Sequence, residues 1–379
     1  MSSLRNDNKI KILQMPVRDA KGGITQYALR NWEHINKSRF LFDWVTLDSE
    51  LSFAPDLVRQ GCKVFHLSCR QEDDEAQFRT EMENILAKGY SSVHLHTSYW
   101  RGFLVEELAI AASVPRIIVH AHSAGIDVSD ETERARLLDA HQMWKSKFNT
   151  KLATHFAACS AYAADFLFGP QIPRERVSML RNAIDTERFA FNKQKRIDKR
   201  SQMGLNEKFI ILQAARLVYQ KNHAFTLGVF ADVLNDVPNA VLLLVGDGNL
   251  RSDLEKEAAE LGIDKNMQFL GFCDDMPELL QSADLFVLPS RFEGLGIAAV
   301  EAQCSGVRCL LSENVPEEAV VSDNAMRLPL DKALWCDEII RLARKGYVRR
   351  DRTGDIAAAG YELKEQIKVL ERIYAGEDG

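Results

Sequence analysis

Several things are missing from this sequence, and each absence excludes a class of protein. No apolar run approaches the roughly 18 residues that a membrane-spanning helix needs. No secretory leader is visible in Met1-Ser2-Ser3-Leu4-Arg5-Asn6-Asp7, so the expectation is a soluble, cytoplasmic protein. The seven cysteines (62, 69, 159, 273, 304, 309, 336) are scattered, with no C-x-x-C pair. That pattern fits reduced thiols better than a disulfide frame or a zinc site. There is no excess of positive charge: 48 Lys and Arg face 54 Asp and Glu, for a net charge of −6. No nucleic-acid partner is expected. The full G-x-G-x-x-G of a dinucleotide site is also absent, which argues against an NAD-dependent oxidoreductase.

What is present is an ordinary globular mixture, 46% hydrophobic and 27% charged, over 379 residues. That is enough chain for two or three domains. Apolar strand patterns at 10–15, 40–47, 63–66, 92–96, 116–121 and 155–158 alternate with helical spacing at 24–35, 76–88, 103–112, 132–148 and 161–168. A second alternating series follows, with strands at 209–215, 241–245, 267–272, 285–288 and 308–311. Alternation of this kind predicts mainly parallel sheets covered by helices, with ligands beyond the carboxyl ends of the strands. Between the two series lies the charge-dense run Phe191-Asn192-Lys193-Gln194-Lys195-Arg196-Ile197-Asp198-Lys199-Arg200. A dense charge run does not readily bury a face, so it is read as the domain boundary. The expected domains are 1–190 and 200–355, followed by an amphipathic helix over 356–375.

The most informative stretch is Pro289 to Gln303. The strand 285–288 runs into Pro289-Ser290-Arg291-Phe292-Glu293-Gly294-Leu295-Gly296, and a helix is expected to start at Ile297. Strand, glycine turn and helix N-terminus together make an anion site, because unpaired backbone N–H groups and the helix dipole point at the ligand. Two carboxylates, Glu293 in the turn and Glu301 in the helix, stand beside it. Carboxylates accept hydrogen bonds from hydroxyls, so anion and hydroxyls together suggest a sugar nucleotide. Arg216 and Lys221 lie in the loop after strand 209–215, where two fixed cations can hold a diphosphate as a leaving group. Asp247, between Gly246 and Gly248, reads as a turn former.

In the first half, Gly22-Gly23 precedes a helix, and a plain glycine turn or a ligand loop are both open readings. Two histidine pairs, His94/His96 and His120/His122, lie at strand ends. Residues i and i+2 share a strand face, so each pair can point together. No third ligand stands at a matching spacing, so metal is not expected. His122, last before a loop, is favoured as a substrate contact. His141 to Lys151 mixes basic and aromatic residues. A peripheral membrane contact is one reading, and a solvated helix with its aromatics packed inward is the preferred one.

These residues resemble a known family. Gly22-Gly23, Ala157-Ala158-Cys159-Ser160, Arg181-Asn182-Ala183-Ile184-Asp185 with Phe189, Arg216-Leu217 with Gln220-Lys221-Asn222, Leu244-Val245-Gly246-Asp247-Gly248, Phe269-Leu270-Gly271, and Pro289-Ser290 through Glu301-Ala302-Gln303 occur in the order found in retaining glycosyltransferases of family 4. The resemblance implies the GT-B fold, two Rossmann-like doubly wound domains facing each other across a cleft, with the terminal helix crossing back to the first. It implies transfer of a hexosyl or N-acetylhexosaminyl group, with retention, from a nucleotide sugar (UDP-linked by default) to a glycan or lipid-linked acceptor. Glu293 would contact donor-sugar hydroxyls and Glu301 the ribose. Arg216 and Lys221 would bind the diphosphate, with amides at Gly294, Leu295, Gly296 and Ile297 and the Gly22-Gly23 loop. The base would sit near Gly271 and Phe272, with Gly246 and Gly248 close by. His122 would lie near the reacting carbon, although His120 is only two residues away. Glu293, His122, Arg216 and Lys221 are the implied catalytic set. No cofactor and no metal are expected, and the work would be cytoplasmic or at the inner membrane face. The sequence departs from the family at Ala183, usually glycine, and at Gly296, often proline. The rival readings are a nucleotide-sugar epimerase of the same fold and a non-catalytic nucleotide-sugar-binding protein.

Overall fold

In the computed structural model, which describes residues 9–19, 22–273 and 275–377, every strand pairs in parallel with its neighbour. The first sheet uses β1 (Ile10–Val17), β2 (Phe40–Thr46), β3 (Val64–His66), β4 (Ser92–Thr97), β5 (Arg116–Ala121), β6 (His155–Ala158) and β7 (Val177–Met179). Its order is β3-β2-β1-β4-β5-β6-β7. The second uses β8 (Phe209–Ala214), β9 (Ala240–Val245), β10 (Met267–Gly271), β11 (Leu285–Leu288), β12 (Arg308–Ser312) and β13 (Ala325–Leu328), ordered β10-β9-β8-β11-β12-β13. Strands buried on both faces need continuous apolar runs, and Ala-Val-Leu-Leu-Leu-Val of β9 is buried throughout. In each sheet the order reverses once, beside β1 and β4 in the first and beside β8 and β11 in the second. Such a reversal leaves a crevice at the carboxyl ends of the two strands.

The chain forms two compact units. Unit 1 holds the described residues up to Gly125, then Ala135–Asn182, then those from Lys364 onward; unit 2 holds Ile126–Arg134 and Ala183–Leu363. The charged run that suggested a boundary lies within unit 2, as the helix Lys193–Gln202. Its charges are partnered. Arg196 donates to the carbonyls of Gln281, Ser282 and Ala283 and pairs with Asp284, while Lys199 pairs with Asp275 at 2.9 Å. The terminal segment is two helices instead of one, Thr353–Ala358 and Leu363–Ala375, interrupted at Gly360, whose φ is 84°. The second of these buries Leu370, Ile373 and Tyr374 against Ile12, Phe40 and Phe42 in the core of unit 1. In the basic–aromatic run, Phe148 is fully buried and Trp144 meets Phe103 edge-on, so these aromatics face inward. Among the described residues, no helix is long and apolar enough to cross a membrane.

The two histidine pairs are one cluster. β4 and β5 are adjacent with His96 opposite His120, so all four rings share a sheet face. Ring centroids are 4.4 Å apart for His94 and His96 and 3.9 Å for His120 and His122. Tyr27, from the helix Gly23–His34, stands edge-on to all four. A hydrogen-bonded chain links them: His94 Nε2 to His120 Nδ1 at 3.2 Å, His94 Nδ1 to Tyr374 Oη at 2.7 Å, Gln14 Nε2 to Tyr374 Oη at 3.1 Å, His96 Nε2 to Gln14 Oε1 at 2.8 Å, and His96 Nδ1 to His122 Nε2 at 3.0 Å. Burial lowers the pKa of every one of these rings, that of His96 to about 3. Tyr27 and Tyr374 are pushed up by the same burial and stay neutral.

This cluster contributes to the acid response of the fold, alongside buried His141 and His223, whose pKa values burial also lowers. Unfolded histidines take up protons near pH 6.5, whereas the folded rings do so only at lower pH. Their contribution is therefore complete above about pH 6.5 and is lost as pH falls toward the folded values. Each such proton costs about 1.4 kcal/mol per pH unit. Thermal melting between pH 7.5 and 5 should show a falling transition temperature, and His96→Gln should make that slope shallower. A melting temperature independent of pH in that range would contradict the burial of neutral imidazoles.

Candidate active site

The crevice of unit 2 is bounded by the loops after β8 and β11, and polar contacts stitch these loops together. After β8 the chain makes a single turn, Tyr219–Lys221, and passes through Asn222 at φ 55° before the helix His223–Asp236. Asparagine tolerates this left-handed conformation better than most side chains. Asn222 Nδ2 donates to the Pro289 carbonyl at 3.1 Å, Gln220 Nε2 to the Phe292 carbonyl at 3.0 Å, and Arg291 N to the Gln220 carbonyl at 2.8 Å. From within β8, buried Gln213 donates to the Lys221 carbonyl at 2.9 Å, and Thr226 holds Gln213 in turn at 2.7 Å.

At the centre is an ion pair whose carboxylate is removed from water. Lys221 Nζ lies 2.5 Å from Glu293 Oε1, and Glu293 is 3% exposed. Ser290 Oγ donates to the same oxygen at 2.6 Å, and Gln220 Nε2 to Oε2 at 3.3 Å. A buried carboxylate is tolerable only when paired and hydrogen-bonded, and Glu293 is both. Its oxygens are held in one place with lone pairs still in excess, because a carboxylate accepts about four hydrogen bonds. Lys221 likewise has three N–H donors.

Beside this pair, Arg216 Nη2 is 3.3 Å from Asp127 Oδ2, and Asp127 Oδ1 accepts from the Gln220 amide at 3.0 Å. A carboxylate already occupies the point where a guanidinium and a backbone N–H converge, so this point accepts an anion. The Arg216 loop is pinned by the Gly-Asp-Gly turn after β9. Leu217 N donates to the Asp247 carbonyl at 2.9 Å, and Leu250 N to the Leu217 carbonyl at 3.1 Å. A Cβ at Gly246 would lie 2.2 Å from the Ala215 carbonyl oxygen, and one at Gly248 would lie 2.3 Å from that of Leu217. Both glycines are needed for this backbone approach. Asp247 accepts from the Gly248 amide at 2.8 Å, the turn contact expected of it. Gly271 accepts from Gly246 N at 2.8 Å, and its neighbour Phe272 is 60% exposed.

The third element is the helix Ile297–Cys304. Its first turn has no side-chain cap and no acidic residue. Gly296 caps it at φ 85°, in the left-handed region. Proline is locked near −65°, so this route into the helix is closed to it. Leu295 is buried just before it, and Glu301 lies in the second turn, 9% exposed.

Unit 1 holds the remaining expected residues. Gly22 caps the helix Gly23–His34 in extended conformation. Nothing lies within 4 Å of a Cβ built on Gly23, so packing within the protein does not demand glycine there. His122 is half-buried at the end of the histidine chain. Ring nitrogens of His94, His96 and His120 lie within 4.8 Å of one another, a third ligand that the separate pairs in the sequence did not reveal. Apart from His120 Nε2, those nitrogens are already engaged in the chain of hydrogen bonds. Asp127 and Ser290 escaped sequence reasoning as site residues. Ser290 sits inside the motif itself, whereas Asp127 is 89 positions from its partner Arg216 and carries no local signal.

Comparison with known proteins gives this geometry its setting. A family model described as Glycosyltransferase Family 4 matches residues 21–188, and one described as Glycosyl transferases group 1 matches 195–338. The putative glycosyltransferase EpsF of Bacillus subtilis (strain 168) is 28% identical over 379 residues, covering 97% of each chain. The Escherichia coli UDP-Gal:alpha-D-GlcNAc-diphosphoundecaprenol alpha-1,3-galactosyltransferase is 25% identical over 315 residues, 80% of each. Among solved structures, Anabaena Alr3699/HepE in complex with UDP and glucose superposes with a TM-score of 0.75 at 15% identity, covering 97% of this chain and 99% of that one. WaaG, a glycosyltransferase involved in lipopolysaccharide biosynthesis, superposes at 0.72 and 16% identity, covering 97% and 100%. Two matched family models in sequence, one over most of the first doubly wound sheet and one over the second, lead to one conclusion: the chain belongs to glycosyltransferase family 4 and has the GT-B fold.

Proposed function

We propose that this glycosyltransferase moves a hexosyl or N-acetylhexosaminyl group, with retention, from a UDP-sugar to a lipid-linked or polysaccharide acceptor, at the inner face of a bacterial membrane. The observation that carries the donor half is the Lys221–Glu293 pair at the strand-order reversal of unit 2, flanked by Arg216 and an uncapped helix start. Support for uridine comes from HepE, solved with UDP and with UDP-glucose, and from the Escherichia coli relative, whose name specifies a UDP-Gal donor and a diphosphoundecaprenol-linked acceptor.

In this reading Arg216 and Lys221 hold the diphosphate, together with amides from Gly294 to Ile297. The diphosphate competes with Asp127 for Arg216. Glu293, fixed by Lys221, Ser290 and Gln220, accepts hydrogen bonds from sugar hydroxyls, and Glu301 accepts them from the ribose. The base rests near Gly271 and exposed Phe272, where Gly246 and Gly248 set the backbone path. In unit 1, Gly22 and Gly23 leave room for a phosphate, and His122 contacts the substrate. The bond from the anomeric carbon to the diphosphate oxygen breaks, and a bond to the acceptor oxygen forms on the same face. The acceptor's proton passes to the departing diphosphate. The protein's contribution is preorganised positive charge at that leaving group, and cations replace a metal ion.

Three measurements test this. Titration with UDP-, GDP- and ADP-sugars, scored for binding and slow hydrolysis, should single out a UDP-sugar; conversion to an isomeric sugar nucleotide without acceptor would instead reveal an epimerase. Activity should survive EDTA, and a strict manganese requirement would contradict the cation assignment. Arg216→Ala should lower kcat about a hundredfold, and Glu301→Ala should weaken donor binding at least about tenfold at unchanged melting temperature. Unaltered donor affinity in Glu301→Ala would reject its role.

A further inference from the structure

The histidine chain of unit 1 has a direction. A hydrogen bond between two neutral imidazoles needs one N–H and one lone pair, so each ring dictates the tautomer of the next. Two directions pass one hydrogen along every link in turn. In the first, His122 Nε2–H donates to His96 Nδ1, His96 Nε2–H to Gln14 Oε1, Gln14 Nε2–H to Tyr374 Oη, Tyr374 Oη–H to His94 Nδ1, and His94 Nε2–H to His120 Nδ1. His120 is then left with Nε2–H. In the second, the Gln14 amide is turned over, every bond is reversed, and His120 Nε2 carries a lone pair.

The placement of Gln14 decides between them. Its Nε2 faces Tyr374 Oη at 3.1 Å and its Oε1 faces His96 Nε2 at 2.8 Å. An amide oxygen only accepts, so His96 carries its hydrogen on Nε2 and turns the lone pair of Nδ1 to His122. The first direction therefore holds. At the open end, half-buried His122 gives Nε2–H inward to His96, and its Nδ1 lone pair is left for a ligand.

We propose that Tyr374, Gln14 and His96 are positioning residues that lock His122 in its Nε2–H form, so that His122 meets its substrate as a hydrogen-bond acceptor. An acceptor nitrogen selects a hydroxyl, of the sugar or of the acceptor, and rejects a phosphate oxygen. This role rests on the reading that His122 touches the substrate. It also makes the helix Leu363–Ala375, through Tyr374, part of the machinery that sets a side chain at the end of β5.

Long-range nitrogen–carbon-proton correlation NMR on the full chain with labelled histidine, at pH 7.5, reads each tautomer directly. His122 should show a protonated Nε2 and an unprotonated Nδ1. Tyr374→Phe removes the group that orients Gln14, and Gln14→Met removes the amide itself. Either variant should give His122 a mixed tautomer, with kcat about tenfold lower and donor KM within about twofold. A substitution that only loosened the core would lower the melting temperature and leave the tautomer in place. An Nδ1–H His122 in the wild-type chain overturns the proposal, as does an unchanged tautomer in both variants. One equivalent of tightly held metal in the purified protein also overturns it, because the metal would take lone pairs the chain needs. Full activity of His122→Ala would instead remove the substrate reading beneath it, a failure separate from that of the tautomer.

Discussion

The candidate site depends on one buried ion pair, Lys221 with Glu293, and on where the fold permits it. Two charges taken out of water cost several kcal/mol each, and their attraction offsets that only with good geometry and further hydrogen bonds. Ser290 and Gln220 supply those bonds, and each comes from the same loop as one partner of the pair. The loops meet because β8 and β11 are neighbours at the reversal of strand order. Anywhere else in the sheet, two loops with these residues would not face one crevice. The pair is therefore as much a consequence of topology as of sequence, and removal of Lys221 would leave Glu293 as an unpaired buried charge.

The neighbouring backbone is equally constrained. Arg216 reaches its position because residues 215–217 lie against the turn 246–248 at a distance that excludes any side chain on Gly246 or Gly248. These glycines are structural first, and any approach of a ligand to them uses a path that packing has already cleared. Gly296 differs. Its positive φ turns the chain into the helix Ile297–Cys304 without a capping side chain, which leaves the first turn of that helix without a side-chain acceptor.

Much of this was legible in the sequence, and the parts that were not have physical reasons. Strand–helix alternation is a local, periodic signal, and most of the strands appeared within a residue or two of their expected places. The short strands Val177–Met179 and Ala325–Leu328 had too few residues to show a period. Glu293 stood out because a glycine turn marks its strand end, and Arg216 and Lys221 because two cations lie in the loop after one strand. Asp127 did not, since nothing near it in sequence speaks of Arg216. The charge run 193–202 misled because composition shows charges but not their partners; Asp284 and three carbonyls turn the run into a docked helix. The histidines were read as two pairs because only strand register shows that His96 lies opposite His120.

The two units bury polar groups in different ways, and the difference bears on chemistry. In unit 2 opposite charges are held together, so the field at the site is strong and suited to a ligand that carries charge. In unit 1 four imidazoles, a tyrosine and an amide are linked with no net charge, each handing a hydrogen to the next, and His120 Nε2 ends the chain. Such a chain avoids the desolvation of an ion but must have a direction, and a direction is information: it fixes which atom is presented at the open end. A substrate with both a diphosphate and hydroxyls needs both kinds of partner. Under the proposed function, the charged crevice of unit 2 would distinguish the anion, and the neutral chain of unit 1, ending on a lone pair, would distinguish the hydroxyl.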